Sequence, residues 1–448
     1  MKRVLLVGGY GYQDLGDESQ LTAVLMNLKK FVPNARYIVL SDNLENTRKY
    51  HNVETDFSLN YYLNSSFVIR RKQRTEASTY TLRQTRKSNP LRASLTRKLR
   101  ALRTLLISLI LVFNAQRIKK DRNPLFLNEG LNHFLANLKS CNLLFDVGGG
   151  NLTSVWQSEL YIKCLTFVLA IIFDKPIILS GQTIGPFYGF LDKLIARFAL
   201  NRVNMITLRE RFSETNLRNI GVTKPLIKVT ADDSVTLVPA NQIRIKTIFS
   251  NERIEVKRPL IGINIVGLKY LQKLRAEFKK AKELLARIGD YLVEKFNATV
   301  IFIPTQYAAD DDRKPALEIL QAMINKDRAF ILSQEYDDKE IKGVIGQLDL
   351  AIGFRYHFIV FAVTSGVPAI GIYLDDYYAT KINGILDLVN QRENGINIQE
   401  ATFKRITRQI EAVFSNREQI AHSLRDQTGT LQQLSLTTIR FAAKILSK

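Results

Sequence analysis

An arginine and a histidine stand two residues apart in the segment Gly-Phe-Arg-Tyr-His-Phe at positions 353–358. The segment follows an apolar run at 350–352 that predicts a buried strand, and an apolar helical pattern comes after it. A guanidinium can hold an anion through two parallel hydrogen bonds, and an imidazole can donate a proton near neutral pH. Arg355 and His357 therefore predict an anion site with a proton donor beside it. The alternative is a histidine that caps a helix or packs in a core.

Three glycine-rich segments, at positions 8–18, 146–151 and 180–186, each follow an apolar run that predicts a strand. Glycine allows a tight turn and a close approach of the backbone to a ligand, and the start of a helix adds free N–H groups. The alternative for each segment is ordinary loop closure, with Asp17 as a helix cap. We expect the second and third segments to form one concave surface. The residues expected to bind substrate are Gly16, Asp17, Glu18, Gly149, Gly150, Asn151, Gln182 and Thr183.

Charged residues also follow two further predicted strands. Arg209 and Arg211 come after one of them, and Asp232 and Asp233 come after the next. Either arginine could clamp an anion, and we expect Arg209 to bind substrate. The alternative is a salt bridge between an arginine and one of these aspartates. The acidic runs at 310–312 and 375–376 are interpreted as solvated loops, and we expect neither a metal nor a cofactor.

Short apolar runs alternate with amphipathic helical patterns through most of the chain, which predicts parallel sheets with helices on both faces. The pattern is interrupted at 241–258, a polar stretch that we interpret as a linker. We therefore expect two doubly wound, Rossmann-like domains, at 1–240 and 259–390, followed by a helical tail at 391–448. Ligands bind such sheets at the carboxyl ends of the strands, so the site should lie in a cleft between the domains.

The formal net charge of +22 is unevenly distributed. Residues 69–122 hold 16 lysines and arginines against two acids, so this segment alone carries +14. The excess therefore marks a local patch, and we expect no nucleic-acid partner. Two cysteines are too few to stabilise a chain of 448 residues through disulfides. The N-terminus leads directly into a predicted strand, without a visible signal peptide. We expect a cytoplasmic protein.

Within residues 69–122, leucines and a phenylalanine recur at near-helical spacing: Leu102, Leu105, Leu106, Leu109 and Phe113. Basic residues beside an apolar stripe are typical of helices that lie on an anionic membrane. We therefore expect residues 59–139 to be a basic helical insertion, in which residues 69–122 hold the protein at the inner face of the cell membrane. An RNA-binding arm is one alternative, although the segment offers almost no aromatic residues for stacking. A disordered, solvated loop is the other.

The motifs, taken together and in order, resemble those of the polysaccharide pyruvyl transferase family. The resemblance covers about residues 1–58 and 140–390, and residues 59–139 match no block of it. In one departure, Asp14 stands where the first motif usually has asparagine. The matching blocks are Gly-Asp-Glu at 16–18, Gly-Gly-Gly-Asn at 148–151, Gly-Gln-Thr-Ile-Gly-Pro at 181–186, Arg-Glu-Arg at 209–211, Ala-Asp-Asp at 231–233, Gly-Phe-Arg-Tyr-His at 353–357 and Ser-Gly-Val-Pro at 365–368.

This resemblance implies a glycosyltransferase B-like architecture and a specific reaction. The pyruvyl group of phosphoenolpyruvate would pass to a sugar of a polysaccharide or lipid-linked precursor, forming a pyruvate ketal and releasing phosphate. It further implies that Arg355 binds phosphoenolpyruvate and that His357 is the general acid. A nucleotide-sugar-dependent glycosyltransferase, which would share the architecture, is the alternative. A non-catalytic membrane-binding or nucleic-acid-binding module is the alternative from a different class.

Overall fold

The computed structural model of the chain describes residues 1–65, 90–267, 275–308 and 310–447. Within these ranges the strands form two separate sheets, and every strand pair is parallel. The first sheet contains β1 (Lys2–Val7), β2 (Ala35–Ser41), β3 (Glu54–Phe57), β4 (Leu143–Asp146), β5 (Gly149–Leu152), β6 (Ile177–Ile184), β7 (Met205–Leu208) and β8 (Leu226–Val229). The second contains β9 (Leu260–Asn264), β10 (Thr299–Phe302), β11 (Ala329–Ile331), β12 (Leu350–Gly353), β13 (Ala369–Tyr373) and β14 (Gly395–Asn397).

Both sheets are doubly wound, as the alternating pattern predicts. The first has the order β3-β2-β1-β4-β6-β7-β8, with β5 paired to β6, and the second has the order β11-β10-β9-β12-β13-β14. The direction of winding reverses between β1 and β4 in the first sheet and between β9 and β12 in the second. A crevice forms outside the carboxyl ends of the strands at such a reversal, and it is where ligands bind in this class of fold.

Helices cover both sheets, and their buried faces complete the cores. Those of the first domain are α1 (Leu15–Phe31), α2 (Leu44–His51), α3 (Leu59–Ser65), α4 (Pro90–Lys119), α5 (Glu129–Ser140), α6 (Gln157–Ile172), α7 (Phe190–Leu200) and α8 (Phe212–Asn219). The rest are α9 (Gln242–Asn251), α10 (Arg275–Phe296), α11 (Arg313–Ala322), α12 (Asp338–Ile345), α13 (Tyr356–Thr364), α14 (Asp376–Leu388), α15 (Phe403–Ser415) and α16 (Arg417–Leu446).

The last helix returns from the second domain to the first. Ile439, Ala442 and Leu446 of α16 are buried in the same apolar cluster as Val4 and Leu6 of β1. The same helix also contacts α13 of the second domain, so it ties the two domains together. This agrees with the expectation of a helical tail that follows the second domain.

Three segments differ from their sequence interpretation. The stretch interpreted as a linker contains α9, because Ile245, Ile248 and Phe249 pack into an apolar cluster that also contains second-domain residues. The segment at 180–186 is largely strand, since β6 continues to Ile184, and 149–152 pairs with it as β5. The expected helical tail also contains β14, which extends the second sheet. These strands were not predicted because they contain glycine and polar residues, whereas the prediction relied on apolar runs.

The basic insertion is helical over the part that the structure describes. Residues 69–89 of the basic segment lie outside the described residues, whereas α4 covers most of the remainder. Leu111 and Ala115 of α4 are fully buried in the first-domain core. Among the described residues, the segment Ser154–Ile172, which includes α6, is the one helix long and apolar enough to cross a membrane. Core helices pass the same test, and α6 buries Leu160, Cys164 and Phe167 in that core.

Candidate active site

The two domains meet where the loops after β1 and β10 touch. The backbone N–H of Leu15 donates to the carbonyl of Thr305 over 3.0 Å, and Asp14 forms a β-bridge with Gln306. Asp14 also caps α1, because its carboxylate accepts from the N–H of Gly16 at 2.9 Å. The start of α1 is therefore fixed against the second domain, with its first residues facing the winding reversal of the second sheet.

His357 lies in the first turn of α13 and reaches into this junction. A Cβ atom added to Gly16 would lie only 1.9 Å from the Nδ1 atom of His357, so glycine at this position is what lets the ring approach α1. On its other side, Nε2 lies 3.4 Å from Oδ2 of Asp232 in the first domain. The side chain is 12% exposed. A histidine of one domain is thus held between two elements of the other.

Asp232 is fully buried and gathers several donors. Its Oδ2 accepts from Gln20 Nε2 at 2.7 Å and from Arg209 Nη1 at 2.8 Å, and its Oδ1 accepts from Ser234. Burial raises the pKa of Asp232, but the His357 ring, Arg209 and these hydrogen bonds outweigh it and hold the pKa well below its usual range. A carboxylate therefore faces Nε2 of His357.

Arg209 is almost completely buried and contacts groups of both domains. Its Nε donates to Thr183 Oγ1 at 2.8 Å, its Nη1 pairs with Asp232, and its guanidinium lies 4.4 Å from the ring centre of Tyr356. The salt bridge considered as an alternative for this arginine is therefore present. Arg209 positions Asp232 and α13, whereas Arg211 is exposed. Thr183 supports this arrangement from β6.

Arg355 occupies the N-cap position of α13. Its Nη2 lies 2.7 Å from Oδ1 of Asp312, and its backbone N–H donates to the side chain of Asn264 at 3.0 Å. Asp312 is buried, so the interpretation of 310–312 as a solvated loop is wrong at this residue, because the carboxylate is the partner of Arg355. Burial raises the pKa of Asp312 to about 6, although Arg355 opposes the shift. The Arg355 side chain remains 17% exposed.

A lysine that the sequence motifs did not single out lies across the cleft. A Cβ atom added to Gly150 would lie 2.7 Å from Nζ of Lys381 and 2.3 Å from the hydroxyl of Tyr377. Helix α14 therefore packs directly on the second glycine loop. The Tyr377 hydroxyl donates to the Gly150 carbonyl at 2.8 Å. Burial, together with nearby Arg209, lowers the pKa of Lys381 to about 7. Lys381 lies in the helix after β13, and His357 lies in the helix after β12. The position in a helix after a strand is the sequence signal that could have identified Lys381.

The glycine loops also border a cavity of about 390 Å³ in the first domain. Asp17 and Asn151 line it, as do Trp156 and Glu159, and both apolar and polar residues of the surrounding loops and helices form the remaining wall. The indole Nε1 of Trp156 lies 3.3 Å from the Tyr377 hydroxyl, which places the tryptophan between the cavity and α14. Burial and Asp14 raise the pKa of Asp17 to about 8. A Cβ atom added to Gly149 would meet no other group within 4 Å.

Glu18 and Gln182, which we expected to contact substrate, make hydrogen bonds to other groups of the protein. Both Glu18 carboxylate oxygens are engaged, Oε1 with the N–H of Gly11 at 2.9 Å and Oε2 with Nε2 of His51 at 2.7 Å. Gln182 is fully buried and its amide donates to Asp146 and to backbone carbonyls. Glu18 and Gln182 therefore support the loops from behind. Among the described residues, no group of three or more histidines, cysteines or acids is arranged to hold a metal ion.

The structural comparisons agree with this architecture. The fold is similar to HepE from Anabaena in a crystal structure with UDP-glucose, with a TM-score of 0.57, 13% identity and 100% of each chain covered. It is also similar to UDP-GlcNAc 2-epimerase from Methanocaldococcus jannaschii, with a TM-score of 0.52, 9% identity and coverage of 99% and 100%. At these identities the likeness concerns the fold, which is glycosyltransferase B-like as expected.

The sequence comparisons identify the family. The chain is 23% identical over 426 residues to the amylovoran biosynthesis protein AmsJ of Erwinia amylovora, covering 93% of each protein. The family model for polysaccharide pyruvyl transferase matches residues 14–376, which include the loop at Gly16 and the Arg355–His357 pair. The chain is therefore an enzyme of the polysaccharide pyruvyl transferase family.

Proposed function

We propose that this enzyme transfers the pyruvyl group of phosphoenolpyruvate to two hydroxyls of one sugar in an exopolysaccharide precursor. The observation that carries the proposal is the position of His357 at the domain junction, between Gly16 and the carboxylate of Asp232. Its Nε2 is buried and faces the Asp232 carboxylate at 3.4 Å, an ion-pair distance that favours the protonated ring. The relative in amylovoran biosynthesis supports an exopolysaccharide as the end product.

The cations around His357 suit the donor, because phosphoenolpyruvate carries both a phosphate and a carboxylate. Arg355 precedes His357 by two residues and keeps part of its guanidinium exposed. Lys381 approaches from α14, and the N-terminus of α13 adds its dipole. We assign the donor anion to Arg355 and Lys381. Arg209 acts indirectly, since Asp232 and Thr183 already occupy its guanidinium.

In the proposed reaction, His357 donates a proton to C3 of phosphoenolpyruvate, which turns the methylene into a methyl group and makes C2 electrophilic. One sugar hydroxyl adds to C2, the bond from C2 to the phosphate oxygen breaks, and a second hydroxyl closes the ketal. Of the two hydroxyl protons, one restores His357 and the other leaves with phosphate. The Asp232 carboxylate, 3.4 Å from Nε2, supports the protonated ring before the transfer.

We place the acceptor sugar in the cavity beside the glycine loops. Trp156 can pack against the apolar face of a pyranose, and Asp17 and Asn151 can hydrogen-bond to its hydroxyls. Asp17 follows Gly16, which touches His357, so acceptor and proton donor would lie side by side. Burial raises the pKa of Asp17, so near neutral pH its protonated carboxyl can donate a hydrogen bond to a sugar hydroxyl.

We further propose that the reaction needs no metal or cofactor and takes place at the cytoplasmic face of the membrane, where a lipid-linked acceptor would be presented. The rival activity is sugar transfer from a nucleotide sugar. HepE, which has a similar fold, is described in complex with UDP-glucose. The cation set around His357 favours phosphoenolpyruvate, since it provides positive charge for two anionic groups of a small donor.

The decisive experiment incubates the full chain with phosphoenolpyruvate and a panel of lipid-linked saccharides in deuterated water. We expect phosphate release that depends on the acceptor, and a product with one deuterium in the new methyl group. Parallel reactions contain UDP-sugars and are assayed for UDP. Release of UDP, with no phosphate from phosphoenolpyruvate for any acceptor, would replace the proposal with its rival.

A further inference from the structure

We propose that α4 and α7 together form a face that lies on an anionic lipid bilayer. This bilayer face is defined by the exposed apolar side chains of two helices and of the loop before α7. The sequence predicted a membrane contact through residues 69–122 alone, which include α4 but not α7. The residues of the face are Leu105, Leu106, Leu109, Phe113, Tyr188, Phe190, Leu191, Leu194 and Phe198.

Helix α4 is apolar on both sides. Leu105, Leu106, Leu109 and Phe113 are between 48% and 59% exposed and recur about one turn apart. Leu111 and Ala115, on the other side, are fully buried in the first-domain core. The helix is therefore anchored to the domain, and its exposed stripe is not explained by packing within the described chain.

Helix α7 has the same construction. Phe190, Leu191, Leu194 and Phe198 are between 49% and 78% exposed, at the spacing of one helical stripe, whereas Ala196 and Leu200 are buried. Both helices contact α6, which lies between them in the layer that covers the first sheet. Large apolar side chains are thus exposed on two helices of one layer. Exposed apolar patches of this kind mark contact sites for proteins or membranes.

The charges on the two helices fit an anionic surface. The sequence of α4 contains no acidic residue, and the acid of α7, Asp192, is turned inward to accept hydrogen bonds from Ser154 and Gln157. Lys193 and Arg197 are exposed on α7, and Arg202 just beyond it lies 3.9 Å over the ring of Phe198. Exposed cations beside exposed apolar side chains match lipid headgroups above an acyl layer.

The bilayer face also ends beside the proposed acceptor cavity. The N–H of Tyr188 donates to Ser154 Oγ at 2.9 Å, and Trp156, two residues further along the chain, lines the cavity. An apolar surface that reaches this point would bring a lipid-anchored sugar to the loops at Asp17. This last step depends on the proposed function, but the membrane contact itself does not.

The test is flotation of the full chain with vesicles of phosphatidylcholine, with and without phosphatidylglycerol. We expect binding only to the anionic vesicles, and weaker binding in 1 M salt, where the screening length falls to about 3 Å. The double variant Leu194→Glu/Phe198→Glu should weaken binding at least tenfold. The matched control is Ile243→Glu/Ile324→Glu, which alters two exposed apolar residues outside the bilayer face and should bind as the parent does.

Thermal unfolding is the control for correct folding of both double variants. Equal flotation of the α7 variant and the parent, or no flotation of the parent with anionic vesicles, would refute the bilayer face. Sedimentation analysis measures whether the parent protein dimerises. Dimerisation through this face without vesicle binding would also refute the bilayer face. Turnover with a water-soluble acceptor separates the two proposals, since the α7 variant should retain it. An enzyme that binds vesicles but releases no phosphate would overturn the proposed function alone.

Discussion

The two sheets follow the same strand order over six strands but carry different groups at their carboxyl edges. The winding reversal of the first sheet is surrounded by glycines, with Asp17 and Asn151 facing a cavity. The second sheet instead presents Arg355, His357 and Lys381 at the ends of β12 and β13. The fold therefore provides two equivalent locations, and the loop residues assign each a role. We attribute acceptor binding to the first edge and donor binding with proton transfer to the second.

The strongest test of this division removes the proton donor. Replacing His357 with glutamine keeps a polar side chain but cannot transfer a proton, so turnover should fall about 10²–10⁴-fold. Phosphate release at saturating substrates measures the change, and His422→Gln, at an exposed histidine of α16, is the matched control. A folded His357→Gln enzyme with parental turnover would move the acid to another residue.

A second change acts on the same histidine from the opposite domain. The Cβ of a Gly16→Ala variant would meet the imidazole at 1.9 Å, so α1 or α13 must shift. A displacement of about 1 Å at a reacting group can cost on the order of 10²-fold in rate, and we expect a loss of this size. Gly429→Ala, where no atom lies within 4 Å, should be neutral. Parental rates for both variants would show that the contact does not position His357.

The donor edge is tested separately through Arg355. Arg355→Lys keeps the charge but loses the planar fork that pairs with Asp312 and with an anion. Losing hydrogen bonds to a charged group costs about 1.5–3 kcal/mol, so the affinity for phosphoenolpyruvate should fall about 10–100-fold. Calorimetry without acceptor measures it, and the acceptor KM should change little. Equal donor affinity in the two proteins would exclude Arg355 from the donor site.

The smallest effect is expected at the acceptor edge. Trp156→Leu keeps an apolar side chain in the cavity but removes the ring, which contributes about 0.5–1.5 kcal/mol in aromatic contacts beyond its area. The acceptor KM should therefore rise up to about tenfold, with phosphoenolpyruvate affinity unchanged. Phe126→Leu, at a highly exposed ring that does not line the cavity, is the control. A change in donor affinity instead would reverse the assignment of the two edges.

Local sequence patterns predicted the doubly wound sheets and located Arg355 and His357 correctly at the start of a helix after a strand. They could do so because strand, turn and helix signals lie within a few residues of one another. The partners of these residues come from distant parts of the chain. Asp312 pairs with Arg355 across 43 positions, and Asp232 reaches His357 from the other domain. No local pattern contains such a pairing, and Asp312 was accordingly interpreted as solvated.

The same limit applies to the protein partners of Arg209 and Glu18. Their motif positions were identified, but whether an arginine or a carboxylate faces a ligand depends on which groups already occupy it. Asp232 and Thr183 engage Arg209, and His51 engages Glu18. The exposed stripe of α7 escaped prediction for a related reason. Amphipathic spacing predicts an apolar helix face but does not reveal that a second apolar face remains uncovered.

The return of α16 to β1 affects how the protein is made. Val4 and Leu6 are translated more than 400 residues before Ile439, Ala442 and Leu446, which complete their apolar cluster. Domains commonly fold in turn during synthesis, starting from the N-terminus. Here the first domain keeps an open apolar surface until translation of α16 is finished. That surface stays uncovered while the whole second domain is translated, so we expect the nascent chain or a chaperone to shield it during that time.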